Sequence, residues 1–457
     1  MPKRNLIVIT SVALLTVMVW AYRPSAAERG NYYELFSPIV DVYEEVQKRY
    51  VSEVDPKKLR DGAIDGMLDK LDPFSNYIPA EEAAEFQKSM RGEFGGIGIQ
   101  IGIKEQRLTV ISPLEDTPAF RAGVMAGDWI KEIDGKSTFD PKPMSLQDAV
   151  GKLTGKPGTK VAITVVHETD KDANGHVIEL TRAVIKLHSI KGWKRTGDGS
   201  KWDFLMDSKN KLGYIRMTSF IEDTDRELDR AVESLMAQGM KGLILDLRFN
   251  PGGLLKQSTE IADRFIRKGV LVSTKGRKSP YQEWNARDDG NYADFPVVVL
   301  INEYSASASE ILAGALKDHN RATIVGSRSF GKGSVQNVIQ LDDGKSLLKL
   351  TTAYYYLPSG RCLHKVDGAK DWGVDPDKDV KMTPAEAAAL IKTRRDAEII
   401  RNPNEEPKKE EPKKEEVKKE ESKEEPKKEE PFVDKQLDAA RDVLLGKIAA
   451  EKQAARN

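Results

Sequence analysis

VVVLINEYSASASEILAGALKDHNRATIVGSRSFGKGSVQ, residues 297–336, changes character several times, and those changes point to a fold class. Val297-Val298-Val299-Leu300-Ile301 is a mostly β-branched apolar run of the kind that forms a buried strand. Small residues follow from Ser305 to Ser309. Ile311, Leu312, Ala315 and Leu316 then recur at helical spacing. A second apolar run, Ala322 to Val325, leads into a glycine-rich loop that carries Lys332. Strand, serine turn, helix, strand and lysine loop make an α/β unit with a candidate nucleophile near a candidate base.

The same alternation extends upstream. Gly213 to Met217 reads as a strand, Leu228 to Met236 as an amphipathic helix, and Gly242 to Leu247 as a buried strand. Asn250-Pro251-Gly252-Gly253 breaks the last of these, and a helix follows from Leu254 to Phe265. Repeated strand–helix alternation argues for an α/β layer. Ligands in such sheets collect beyond the strand C-termini, where both the Asn-Pro-Gly-Gly turn and the Ser305–Ser309 turn fall.

Downstream, Ser346 to Tyr356 reads as strand, Trp372 to Asp377 as a loop, and Pro384 to Ile400 as a helix. Residues 403–431 are a Glu/Lys/Pro tract whose one aliphatic residue before its end is Val417. Such a tract cannot bury a core and is expected to be a solvated linker. A last helix, Val433 to Ala450, carries Leu437, Ala440, Leu444 and Ile448 on one face and is expected to pack back on the body.

At 457 residues the chain is too long for one ordinary core. Lys+Arg and Asp+Glu are both 72, so no basic excess argues for nucleic acid. The single cysteine, Cys362, excludes an intrachain disulfide and is expected to be an inert buried thiol. The five histidines lack paired-ligand spacing, so neither a metal nor a cofactor is expected. Lys3 and Arg4 precede an apolar run from Leu6 to Tyr22, followed by small residues at Pro24 to Ala27, which is the pattern of an export segment. Cleavage and retention as an inner-membrane anchor both remain open. Phe36, Ile39, Val40, Tyr43 and Val46, then Leu59, Ala63, Met67 and Leu71, give two amphipathic helices before Asp72-Pro73.

Glycines crowd residues 92–102, RGEFGGIGIQI, and short strands with few helices follow for about ninety residues. No long helix follows them, as dinucleotide binding would require. GGIGI followed by SPLEDTPAFRAGVMAGDWIKEIDG resembles a PDZ domain. Such a domain adds an extended peptide to a sheet edge and captures its terminal carboxylate with backbone N–H groups. The resemblance assigns that loop to Gly95, Gly96, Ile97 and Gly98.

Several motifs compete for the serines and Lys332. A phosphate-binding loop needs Ser or Thr where Gly333 stands. Ser329-x-x-Lys332 has the spacing of penicillin-binding proteins, but Gly331 and Gly333 disfavour the helix that motif needs. A Ser-His-Asp triad would rely on His319, about three turns along the helix from the serines. A serine of the 305–309 turn paired with Lys332 is the fourth reading. Ser307-Ala308-Ser309-Glu310 also spells a helix capping box, so Ser307 as a mere cap stays open on spacing alone.

SASASEILAGALKDHNRATIVGSRSFGKGSVQ, with LGYIRMTSF, DLRFNPGGLL and the GVDPD turn, resembles the C-terminal processing peptidases. These are PDZ-containing serine proteases with a crotonase-like spiral α/β core. The resemblance runs from about residue 33 to 398 and over the last helix. It implies Ser307 as nucleophile, Lys332 as base and Gln336 as the residue that orients the lysine. It places the oxyanion hole at backbone N–H groups of Ala308, Gly252 and Gly253. The base must be neutral, and a free lysine is so only about once in 2,500 at pH 7. A lowering by roughly three pH units, about 4 kcal/mol, is therefore required, and burial can supply it. On an extended strand Lys332, Ser334 and Gln336 would point the same way.

The expected order is thus an export segment (1–27), an N-terminal helical region (28–91), a PDZ domain (92–190), a protease core (191–402), the Glu/Lys/Pro linker (403–431) and a C-terminal helix on the core (432–457). The resemblance implies an exported, periplasmic or cell-envelope endopeptidase whose substrates are proteins with apolar C-termini. It leaves a homo-oligomer and an adaptor protein open as partners. The alternative is a catalytically silent envelope PDZ scaffold.

Overall fold

The computed structural model describes residues 26–167, 174–196, 201–288, 292, 294–400 and 432–454. Residues 1–25, with most of the expected export segment, and the whole 403–431 tract lie outside them. Among the described residues no helix is long and apolar enough to cross a membrane. The chain forms two compact units.

The smaller unit comprises the described part of residues 1–79 together with 340–349. It contains the helices Ala26–Arg49 and Pro56–Leu68. Asp55 caps the second helix by accepting the N–H of Lys57, and Pro56 occupies the first helical position where no N–H is needed. Asp72 then accepts the N–H groups of Phe74 and Ser75, which ends the helical run, and the strand Asn76–Ile78 pairs antiparallel with 347–349. Phe36, Ile39, Val40 and Tyr43 of the first helix and Leu59, Ala63 and Met67 of the second line an apolar groove of about 800 Å³.

The larger unit comprises residues 80–339 and 350–457. Its centre is a sheet ordered Ile190–Lys191, Leu212–Met217, Gly242–Asp246, Val297–Ile301, Ala322–Gly326, Lys378–Asp379. All neighbours after the first pair run parallel, with Leu243 opposite Val297 and Val299 opposite Ile324. Successive strand side chains face opposite ways. Val297, Val299 and Ile301 pack with Leu228, Ile261, Ile311 and Leu312 of the helices Thr224–Ala237, Leu255–Phe265 and Ala308–Asp318. Val298 and Leu300 pack with Leu437, Ala440, Leu444 and Ile448 of the C-terminal helix Lys435–Ala454. Burial on both faces is why these strands are unbroken apolar runs rather than alternating ones.

Residues 93–186 fold as a module of their own hydrophobic core, with Ile97, Leu108, Val110, Ile130, Ile163 and Leu180 buried together. Its main sheet runs Ile99–Lys104, Arg107–Pro113, Trp129–Ile133, Lys160–Val166, His176–Thr181. Among the described residues Ile99–Lys104 pairs on one side only, so the sheet presents an edge there. The final helix begins and ends a few residues later than the apolar pattern suggests. Cys362 corrects an expectation: it is half-buried and bridges Tyr356, so it is not a core thiol.

Candidate active site

Parallel strands ending at Asp246, Ile301 and Gly326 deliver three turns to one edge of the sheet. These are the 248–253, 302–307 and 327–333 segments, and they carry the residues singled out from the sequence. The structure separates three serines that look alike as a string. Ser305 is fully buried; its Oγ donates to Leu247 O at 2.9 Å and accepts the N–H of Asn302 at 2.9 Å. Ser309 is fully buried and donates to Asn250 O at 3.0 Å. Both hydroxyls brace one turn against another. Ser307 is half-buried at the start of the Ala308–Asp318 helix, with φ 56° and ψ −115°. A non-glycine residue in that region is strained and is held there only by its surroundings.

Those surroundings centre on Glu310, which sequence reasoning saw only as the fourth and last residue of a capping box. Its carboxylate is fully buried. Oε2 accepts the N–H of Ser307 at 2.7 Å and that of Lys332 at 2.9 Å. Oε1 accepts the N–H of Gly331 and the hydroxyl of Ser329, each at 2.6 Å. Ser329 Oγ in turn accepts the N–H of Val374 at 2.7 Å. One oxygen therefore ties the serine turn directly to the lysine loop. Burial pushes the Glu310 carboxyl above its ordinary value, while the four donors pull the other way.

Lys332 is half-buried and lies in the loop before the strand Ser334–Gln340, not on that strand. The extended register expected for Lys332 starts only at Ser334, because the loop is held by other bonds. Gly331 O accepts the N–H of Lys365 at 2.9 Å, and Gly333 O accepts that of Tyr355 at 2.7 Å. Gln336 Nε2 donates to Ser334 Oγ at 2.8 Å and to Thr351 Oγ1 at 3.2 Å. His319 ends the helix with Nε2 at 2.7 Å from Val270 O, engaged with backbone and far along the helix from Ser307.

The Asn-Pro-Gly-Gly turn packs on the serine turn. Asn250, fully buried, accepts the N–H of Ala306 on its carbonyl at 3.0 Å and donates Nδ2 to Met217 O at 2.9 Å. Its Oδ1 accepts the N–H of Gly252 at 2.9 Å, so that donor is turned inward. Gly252 has φ 100°, and a Cβ there would lie 2.8 Å from Ser307 Cβ and 2.9 Å from Ala308 N. Ala308 opens its helix, where an N–H has no intrahelical acceptor and faces outward at the positive dipole end. Gly252→Ala should therefore push the serine turn out of place and lower kcat by on the order of 10²-fold, as a misplacement of about 1 Å can do. Steady-state kinetics on the purified variant measures it, and an unchanged kcat would contradict the close approach.

In the 93–186 module Gly95 and Gly96 lie in a strand, opposite Val184 and Ala183, and only Ile97 and Gly98 form the turn. Ile97 O accepts the N–H of Ala119, and Gly98 O accepts Leu114 N–H and Thr117 Oγ1. In a planar trans peptide the N–H points opposite to the C=O. The N–H groups of Gly98 and Ile99 are thereby directed away from those inward contacts. Gly98 has φ 79°, and a Cβ would lie 2.2 Å from Thr117 Cβ, so the turn needs glycine.

The comparisons with known proteins agree with this architecture. The model of peptidase family S41 matches residues 211–380, that of the PDZ domain residues 95–177, and that of the activating protease CtpB N-terminal domain residues 21–82. The carboxy-terminal-processing protease of Bartonella bacilliformis is 39% identical over 399 residues, covering 84% of this chain and 86% of that one. The carboxy-terminal processing protease CtpA of Bacillus subtilis is 35% identical over 332 residues, covering 72% and 67%. The solved photosystem II D1 C-terminal processing protease is 29% identical and covers 75% of this chain and 92% of that one, at a TM-score of 0.41. A serine-type peptidase core of family S41 with a PDZ domain is thus the class to which fold and matches lead. The chain belongs to the carboxy-terminal-processing proteases, and its substrates are proteins.

Proposed function

We propose that this enzyme cleaves proteins taken by their C-termini, with Ser307 as nucleophile and Lys332 as general base. The observation that carries the reading is the shared Glu310 oxygen that receives the N–H groups of both residues. Ser307 Oγ attacks the scissile carbonyl carbon, and its proton passes to a neutral Lys332 Nζ. The tetrahedral oxyanion is received by the N–H groups of Ala308 and Gly253, the Gly252 N–H being engaged with Asn250. Collapse breaks the C–N bond, and the leaving amine takes the proton from Lys332. Water then hydrolyses the acyl-serine ester with Lys332 again as base. Gln336, on the strand that leaves the lysine loop, orients Lys332 in this reading.

Substrate selection falls to the PDZ domain. The peptide extends the sheet at the Ile99–Lys104 edge, and its carboxylate meets the outward N–H groups of Gly98 and Ile99. Leu146 and Val150, exposed beside the buried Ala149 and Leu153 of the helix Leu146–Leu153, supply apolar contact for the terminal side chain. Amidating the C-terminus of an otherwise identical substrate should raise KM tenfold or more and leave kcat within twofold. Equal KM values for the acid and the amide would remove the PDZ domain from recognition.

The basic-then-apolar N-terminus supports export to the periplasm or cell envelope, with anchoring in the inner membrane as one outcome. The apolar groove of the N-terminal helices supports self-association into a homo-oligomer, and an adaptor protein is a further partner compatible with it.

A further inference from the structure

Arg248 stands at the root of the oxyanion turn and is fully buried. Its Nε and Nη2 donate to both oxygens of Asp246, at 2.7–3.2 Å. Its Nη1 and Nη2 also reach across to the chain beyond the Glu/Lys/Pro tract, donating to Asp434 Oδ1 and Oδ2 at 2.8 Å each and to Gln436 Oε1 at 3.1 Å. Arg394 donates to Asp246 as well, and to Arg248 O at 3.3 Å. Asp246 also accepts the hydroxyl of Tyr214 at 2.8 Å. Two arginines, Arg248 fully buried and Arg394 half-buried, are therefore balanced by two aspartates, and one of those aspartates, Asp434, caps the C-terminal helix.

Burial works against the Arg248 charge, and Asp246 with Asp434 outweigh it, so the guanidinium is held well above its ordinary value. Without Asp434 the cluster would keep a net positive charge on the fully buried Arg248, which is unfavourable. The first backbone to respond would be Phe249, already at φ 63°, and then Asn250, whose side chain and carbonyl set Gly252 and Ala306.

We propose that Asp434 and Gln436 are positioning residues for the oxyanion turn, so that the C-terminal helix is required for turnover and not only for stability. The inference rests on the assignment of Gly253 and Ala308 as oxyanion donors. It makes the segment after residue 431 a working part of the active site, joined to the core by the Glu/Lys/Pro tract.

The full-length chain tests this through Asp434→Asn, which keeps an efficient helix cap and removes the negative charge that faces Arg248. Leu444→Ala is the control, since it loosens the same helix on the sheet without touching Arg248. Asp434→Asn should lower kcat thirtyfold or more with KM within twofold, and Asp434→Glu should recover most of it. Leu444→Ala should lower the melting temperature and leave kcat within twofold. Arg248→Lys, which keeps the charge but loses the fork, should reproduce the kcat loss and covers the case in which Asp434→Asn does not fold. Activity in Asp434→Asn within twofold of the parent, or a kcat loss in Leu444→Ala as large as in Asp434→Asn, would overturn the proposal. Failure of the underlying reading shows separately, as cleavage that survives Ser307→Ala.

Discussion

Under the proposed serine–lysine mechanism, Ser307→Ala and Lys332→Ala should each abolish peptide cleavage, with kcat lower by about 10⁴-fold or more, as expected when a nucleophile or its base is removed from a unit that acts together. Lys332→Arg should be as inactive as Lys332→Ala. An arginine keeps the positive charge but stays protonated and cannot take a proton from serine. The neighbouring serines give the contrast. Ser305→Ala and Ser309→Ala each delete a buried hydroxyl bonded to a backbone carbonyl, so each should cost about 1–3 kcal/mol of stability. Their kcat should stay within tenfold of the parent. Purified variants assayed on one protein substrate, with denaturant unfolding in parallel, separate the two behaviours. A Ser307→Ala enzyme that still cuts would end the assignment.

Glu310→Gln is the second large effect. Four donors converge on the carboxylate, two on each oxygen. A glutamine amide nitrogen is itself a donor, so whichever oxygen it replaces leaves two buried N–H or O–H groups facing another donor. Each unsatisfied buried group costs about 1–3 kcal/mol, so the variant should lose several kcal/mol of stability. The serine turn and lysine loop share this one brace, so kcat should fall by on the order of 10²-fold or more, through misplaced reacting groups. A residue that only caps the helix would behave differently, costing about 0.5–2 kcal/mol and sparing kcat. Urea unfolding and kcat measured on the same preparation distinguish the two. Glu310→Gln with full kcat would reduce Glu310 to a cap.

Much of the core was legible because its strands are buried on both faces. Val297–Ile301 and Gly242–Asp246 are apolar at every position but the terminal Asp246, and such runs admit few other readings. The PDZ module was legible from turn glycines such as Gly98, where backbone conformation forces the residue type. The site was less so. Ser305, Ser307 and Ser309 differ by which carbonyls lie above them, and those carbonyls come from Leu247 and Asn250, more than fifty residues earlier. Glu310 hides behind a capping pattern that it also satisfies, since its contacts with Ser329, Gly331 and Lys332 are tertiary. Lys332 reads from the sequence as part of an extended strand because the anchoring of its loop by Tyr355 and Lys365 leaves no local signature. Asp434 is further still from the turn it touches, with the Glu/Lys/Pro tract between them.

The most direct test of the serine–lysine assignment is the site and rate of modification by a fluorophosphonate, followed by intact-mass and peptide-mass measurement. The account predicts a single adduct on Ser307, absent in Ser307→Ala and formed at least 10²-fold more slowly in Lys332→Ala. An adduct on Ser305, Ser309 or Ser329, or labelling of Ser307 at the parent rate in Lys332→Ala, would contradict it.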